Sequence, residues 1–183
     1  MRRLAIALAM AGTAGAALLV APAAALATPG GASAAASAAA DDYYSTERNY
    51  RSKKCMEQTY VNGVEQPGIR AVACTGGDNQ LWSHTLVGDS PYIRTIKNKK
   101  SGKCLEQSYV NGAETLTVRA ATCTGATNQQ WDLILTQYWY ATYFLKNVAS
   151  GKMLEQSYAN YTEHPEVDVA EFSPWDYRHQ AWY

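Results

Sequence analysis

The sequence predicts an all-β fold built from three copies of a unit of about four short strands, and three observations carry that expectation. First, one phrase recurs: Cys55-Met56-Glu57-Gln58-Thr59-Tyr60-Val61-Asn62, Cys104-Leu105-Glu106-Gln107-Ser108-Tyr109-Val110-Asn111 and Met153-Leu154-Glu155-Gln156-Ser157-Tyr158-Ala159-Asn160. Second, each copy closes on Gln-x-Trp, at Gln80 and Trp82, Gln129 and Trp131, and Gln180 and Trp182. Third, the period is constant, since 104−55, 153−104 and 131−82 all equal 49. Only the last Trp drifts, 182−131 being 51, which places a two-residue insertion late in the third copy. Self-similarity at a fixed period means one folding unit repeated.

Within the second copy the extended runs are 92–97, 104–107, 116–122 and 130–135, with turn chemistry at 98–102, Asn111-Gly112 and 124–127 between them. Helical periodicity is absent. Leu116, Val118 and Ala120 alternate onto one face, and Trp131, Leu133 and Leu135 onto another, so these side chains are expected in the core. Three such units must bury three apolar faces together, and closing them around a threefold axis leaves no ragged end. A β-trefoil meets that requirement, with repeats at 43–91, 92–140 and 141–183. A propeller typically needs about four or more blades. A solenoid needs capping units that the repeats do not supply.

Residues 1–27 combine Arg2-Arg3, a long Ala/Leu-rich run and the small-x-small ending Ala25-Leu26-Ala27, the pattern of a secretory signal. An uncleaved membrane anchor is the competing reading, because the run approaches the roughly 20 residues a bilayer needs. Residues 28–42 form an Ala/Ser/Gly/Pro linker without large apolar side chains, and Ala40 offers a second cleavage point. Without Arg2 and Arg3 the balance is 14 basic against 16 acidic side chains (16−2 = 14), a net charge of −2. Neither nucleic acid nor a membrane surface is expected as a partner after signal cleavage. The expected location is extracellular.

All four cysteines lie in the repeats, with equal separations (74−55 = 123−104 = 19). Four cysteines allow three pairings, and the repetition favours Cys55 with Cys74 and Cys104 with Cys123. The third copy has Met153 and Phe172 at the matching positions, so an apolar contact is expected to replace sulfur there. Such a replacement argues against a metal site, and no cofactor is expected.

The order Gly102-Lys103-Cys104-Leu105-Glu106, then Cys123-Thr124-Gly125, then Asn128-Gln129-Gln130-Trp131 resembles the ricin B-type β-trefoil lectins and related trefoil carbohydrate-binding modules of bacterial glycosidases. The resemblance implies sugar hydroxyls held by an acid two residues after the first Cys and by the Asn of Asn-Gln-x-Trp. An aromatic ring two residues before the second Cys would stack on the sugar. Glu57, Glu106 and Glu155 stand at the acid position, and Asn79, Asn128 and His179 at the Asn position. Val72, Ala121 and Ala170 stand where the aromatic is required, so the platform is missing in every copy.

Strand parity turns the three Glu outward, opposite Arg70, Arg119 and Asp168. Arg70 and Arg119 are therefore either pocket-filling ion-pair partners or neighbours of a sugar site. Glu155 and Asp168 are two facing carboxylates, able to raise one another's pKa or hold a hard cation. Tyr60, Tyr109 and Tyr158, three residues after each Glu, either replace the lost platform or plug the hairpin ends. Trp175 and Tyr177, brought by the insertion, either stack on a sugar or cover the core where the disulfide is missing. Tyr138-Trp139-Tyr140 reads as a contact patch or as core filling. Asn160-Tyr161-Thr162 fits a glycosylation acceptor. His84, His164 and His179 share no spacing, and no nucleophilic set can be assembled around bridged cysteines. The expected function is non-catalytic carbohydrate recognition through up to three weak pockets, and the alternative is a protein-binding or inhibitor-like trefoil whose sugar sites have lapsed.

Overall fold

The computed structural model describes residues 43–136, 141–160 and 162–183. Residues 1–42, expected above to be signal and linker, Tyr138-Trp139-Tyr140, and Tyr161 of the expected glycosylation acceptor lie outside them. Among the described residues there are twelve strands, four per copy: β1 Tyr44–Thr46, β2 Cys55–Val61, β3 Val64–Val72, β4 Leu81–Leu86; β5 Ile93–Asn98, β6 Cys104–Val110, β7 Ala113–Ala121, β8 Gln130–Leu135; β9 Tyr143–Asn147, β10 Met153–Ala159, β11 Thr162–Ala170, β12 Ala181–Trp182. A 3₁₀ turn precedes the last strand of each copy, at Asp78–Gln80, Thr127–Gln129 and Tyr177–His179.

Two layers follow from the pairing. Strands β1, β4, β5, β8, β9 and β12 pair in that order, and the Asn49–Trp182 bridge closes the ring between the first and last copies. The other strands form the hairpins β2–β3, β6–β7 and β10–β11. Their second strands meet pairwise at Gly68 with Arg119, Thr117 with Asp168 and Glu166 with Arg70. This is a β-trefoil. The tips of the first two hairpins are Asn-Gly turns with positive φ at both residues (50° and 80°, then 52° and 78°), a conformation Asn and Gly tolerate best.

Trp82, Trp131 and Trp182 are fully buried and donate their indole N–H to the carbonyls of Met56, Leu105 and Leu154 at 3.0, 3.0 and 3.1 Å. Around them pack Ile69, Ala71, Ile96, Val118, Ala120, Leu145, Val167 and Val169. Two residues expected in the core are exposed instead, Leu116 at 57% and Leu135 at 66%. Both lie where their strands have run past the threefold core, so the alternation continues with nothing left to pack against. The disulfides Cys55–Cys74 and Cys104–Cys123 are present. In the third copy Met153 is buried and Phe172 packs edge-on against Phe144, ring centroids 5.4 Å apart.

The copies are stitched by a polar set that also recurs every 49 residues. Buried Asn98 and Asn147 donate to the carbonyls of Asn79 and Asn128 in the preceding copy, both at 3.0 Å, and Asn49 donates to His179 O at 2.7 Å. Ser101, Ser150 and Ser52 donate to the buried amides of Gln58, Gln107 and Gln156. Replacing Asn98 with Ala would strand a carbonyl and two backbone N–H groups, a loss of about 2 kcal/mol or more. Urea denaturation should show that drop, and an unchanged midpoint would remove the stitching role.

Candidate functional site

Each hairpin meets the turn of the following copy, and that seam gathers the residues singled out by sequence. Asn49, Asn98 and Asn147 set the turn, because each side-chain carbonyl accepts the backbone N–H two residues on, from Arg51, Lys100 and Ala149, at 3.1 Å in every case. This Asx turn fixes the residue that approaches the tyrosine of the preceding copy. Lys100 Nζ lies 3.8 Å from the ring centre of Tyr60, and the Arg51 guanidinium 3.8 Å from that of Tyr158. Ala149 stands at the equivalent place beside Tyr109, where an open hollow of about 300 Å³ is lined by Tyr109, Thr127, Asn128 and Ala149. Two seams thus carry a cation on the ring and the third carries a methyl group.

The Asn position behaves alike in the first two copies. Asn79 and Asn128 donate to the backbone carbonyls of Gln58 and Gln107 at 3.3 and 2.9 Å, which orients the amide and leaves its oxygen for another partner. In the third copy His179 stacks on Tyr158, centroids 6.0 Å apart and planes 21° apart, and its Nε2 lies 3.2 Å from Glu155. Asp176, brought by the insertion, takes Arg51 in an ion pair at 2.6 Å. Tyr158 is therefore in contact with both a guanidinium and an imidazole.

The three acids are less outward than strand parity predicts. Glu106 is only 7% exposed, and Glu57 and Glu155 are half-buried. The Gln of each Gln-x-Trp reaches over them: Gln80, Gln129 and Gln180 donate to Glu57, Glu106 and Glu155 at 2.8, 2.7 and 3.0 Å. Arg119 contacts Glu106 Oε1 through Nε at 2.8 Å and Nη2 at 2.7 Å while Gln129 holds Oε2, so both oxygens of Glu106 are engaged. Arg70 faces Glu57 in register, and no ion pair joins the two among the described residues. A 3₁₀ turn folds back and roofs each carboxylate, a contact between distant segments that strand parity does not register. The signal for it was the fixed spacing of 23 residues between Glu57 and Gln80 and between Glu106 and Gln129.

Glu155 and Asp168 do face one another in register. Burial pushes the Asp168 pKa up, the Ser157 hydroxyl donating at 2.7 Å pulls it down, and Glu155 and Glu166 push it up further. The inserted aromatics divide: Tyr177 packs edge-on against Phe144 at 6.2 Å, while Trp175 is 94% exposed.

Residues 85–170 match the family described as ricin-type beta-trefoil lectin domain-like. The chain is similar to the ricin B-type lectins. Among solved structures, the designed threefold-symmetric protein ThreeFoil superposes with a TM-score of 0.62 at 25% identity, covering 76% of this chain and 95% of that one. The Macrolepiota procera ricin B-like lectin in complex with lactose gives 0.61 at 16% identity, covering 77% of this chain and 93% of the lectin. An exo-beta-1,3-galactanase from Clostridium thermocellum gives 0.59 at 20% identity, covering 78% of this chain but 29% of the enzyme. A comparison with curated protein sequences finds no match. The β-trefoil frame is the shared geometry, and the seam residues are where this chain departs from its own symmetry.

Because the Asp168 pKa is raised in the folded state, that state holds the proton more tightly than the unfolded chain, so stability falls as pH rises from the carboxylate range towards neutrality. Asp168→Asn keeps an acceptor for Ser157 and should raise the melting temperature at pH 7, the gain shrinking as pH falls below the usual carboxylate pKa. A variant less stable at pH 7 than at pH 4, relative to the parent, would contradict this assignment.

Proposed function

We propose that this chain is an exported, non-catalytic carbohydrate-binding protein whose working pocket is the seam between the second and third copies. The observation that carries the reading is that, among the described residues, no cation lies over the Tyr109 ring beside Asn128, whereas Lys100 lies over Tyr60 and Arg51 over Tyr158. A sugar needs an apolar surface under its C–H face and a few fixed hydrogen-bonding groups. Tyr109 supplies the first, and the Asn128 amide and Thr127 hydroxyl the second. In this reading Glu106 shapes the pocket through Gln129 and Arg119 instead of touching ligand. Tyr60 and Tyr158 serve as plugs. Two disulfides and the lactose-bound neighbour support an extracellular sugar ligand.

The symmetry of the fold provides the test. Ala149→Lys copies the lysine of the first seam onto Tyr109 and should reduce retention on an insoluble polysaccharide about tenfold or more, the loss of about 1.4 kcal/mol. Tyr109→Ala should do the same while the melting temperature stays close to the parent's. Retention unchanged in Ala149→Lys would refute the assignment, and collapse of the fold in Tyr109→Ala would make that tyrosine a plug like the others. A protein-binding role is the second reading, favoured by the exposure of Trp175. Capture of one defined partner that is lost in Trp175→Ala and kept in Ala149→Lys would establish it.

A further inference from the structure

The barrel strands hold a second constellation that none of the seam residues shares. A pocket of about 430 Å³ is lined by Tyr43, Ser45, Glu47, His84, Arg94, Leu133 and Tyr143, drawn from or beside β1, β4, β5, β8 and β9. Threefold repetition shows what is unusual about it. Glu47, 1% exposed, occupies the place taken by Ile96 and Leu145 in the other copies, both fully buried, and His84 occupies the place of Leu133. The first copy has therefore put a carboxylate where its sisters have core hydrocarbon, and an imidazole where the second copy has a partly buried leucine. Burying a carboxylate costs stability unless donors surround it. Here they do: His84 Nε2 sits 2.9 Å from Glu47 Oε1, and the Tyr143 hydroxyl donates to Glu47 Oε2. Burial and the adjacent carboxylate push the Tyr143 pKa far up, which keeps that donor protonated.

Arg94 is the group left over. It makes no ion pair among the described residues, and its Nε–H is buried without an acceptor. Both oxygens of Glu47 are turned to His84 and Tyr143, and no hydrogen bond or ion pair joins Glu47 to Arg94 among the described residues. A buried orphan donor on a guanidinium in a lined pocket calls for an acceptor from outside the chain, and the fork geometry matches a carboxylate best. Tyr43 and Leu133 offer an apolar wall beside it, and Ser45 a hydroxyl.

We infer that the barrel pocket around Arg94 binds the carboxylate of a small organic acid. The test uses the exported chain, with nuclear magnetic resonance of the His84 ring and isothermal titration as readouts. The probes are sodium D-glucuronate and sodium 3-phenylpropionate, with glucose, 3-phenylpropanamide and sodium sulfate as controls. At least one carboxylate should shift the His84 resonances saturably, and the neutral probes should not. A glucuronate response places an acidic sugar in the pocket, and a phenylpropionate response an aromatic acid; either supports the inference. Arg94→Gln should weaken binding tenfold or more, while Ala149→Lys, which closes the seam pocket, should leave it unchanged. Silence from both carboxylates on the parent protein, equal binding of sulfate, or undiminished affinity in a folded Arg94→Gln would overturn it. Because the parent arms need no variant, poor folding of Arg94→Gln would not rescue the idea.

Discussion

Three buried asparagine side chains hold this trefoil together. Asn49, Asn98 and Asn147 each donate to a carbonyl of the neighbouring copy and accept the N–H of the turn two residues on. A satisfied buried amide contributes only about 1 kcal/mol, but an unsatisfied group in the same place costs the full desolvation penalty of about 1–3 kcal/mol. Closure is thus specified more by the cost of failing to close than by the gain of closing. The Asn49 bond to His179 O joins the first copy to the last, supported by the Arg48 and Tyr183 backbone pair. The indole donors then register the three tryptophans against the same frame, and burial of apolar side chains supplies most of the stability.

The same amides connect fold to site. By pinning the residue that follows the turn, they deliver Arg51, Lys100 or Ala149 to the face of a tyrosine one copy back. The scaffold is symmetric, so a single side chain decides whether a seam is capped or open. A cation over an aromatic face is worth roughly 0.5–1 kcal/mol at an exposed site, modest for stability yet sufficient to deny that face to a weak ligand. The two-residue insertion reinforces the cap in the third seam, where Asp176 anchors Arg51, and His179 stacks on Tyr158. Divergence among copies has been written into pocket rims while the repeated apolar positions stayed apolar, Glu47 and His84 excepted.

Much of the fold is legible in the chain. The 49-residue period, the Gln-x-Trp closures and the Cys spacing lead to three four-stranded units and to the disulfides that the structure contains. The edges of that reading are instructive. Leu116 and Leu135 obey the alternation yet are exposed, because period two reports the face of a strand and not the length over which that face meets a core. Glu106 obeys the opposite parity yet is buried, because a 3₁₀ turn distant in sequence roofs it. Asn49, Asn98, Asn147 and the Gln58, Gln107 and Gln156 series repeat as faithfully as the tryptophans, and their stitching role was hidden only because polar repeats look like surface.

Sequence alone determined the number of units, their order and the candidate residues of each lobe, because repetition is a local property that survives without coordinates. Tertiary structure alone decided which tyrosines carry a cation and which acid takes an arginine as well as a glutamine, since each such contact depends on how the chain folds back on itself. It also exposed the polar pocket around Arg94, whose members are spread from Tyr43 to Tyr143. Contacts of that kind depend on how the ring closes in space, and spacing along a chain carries no record of it.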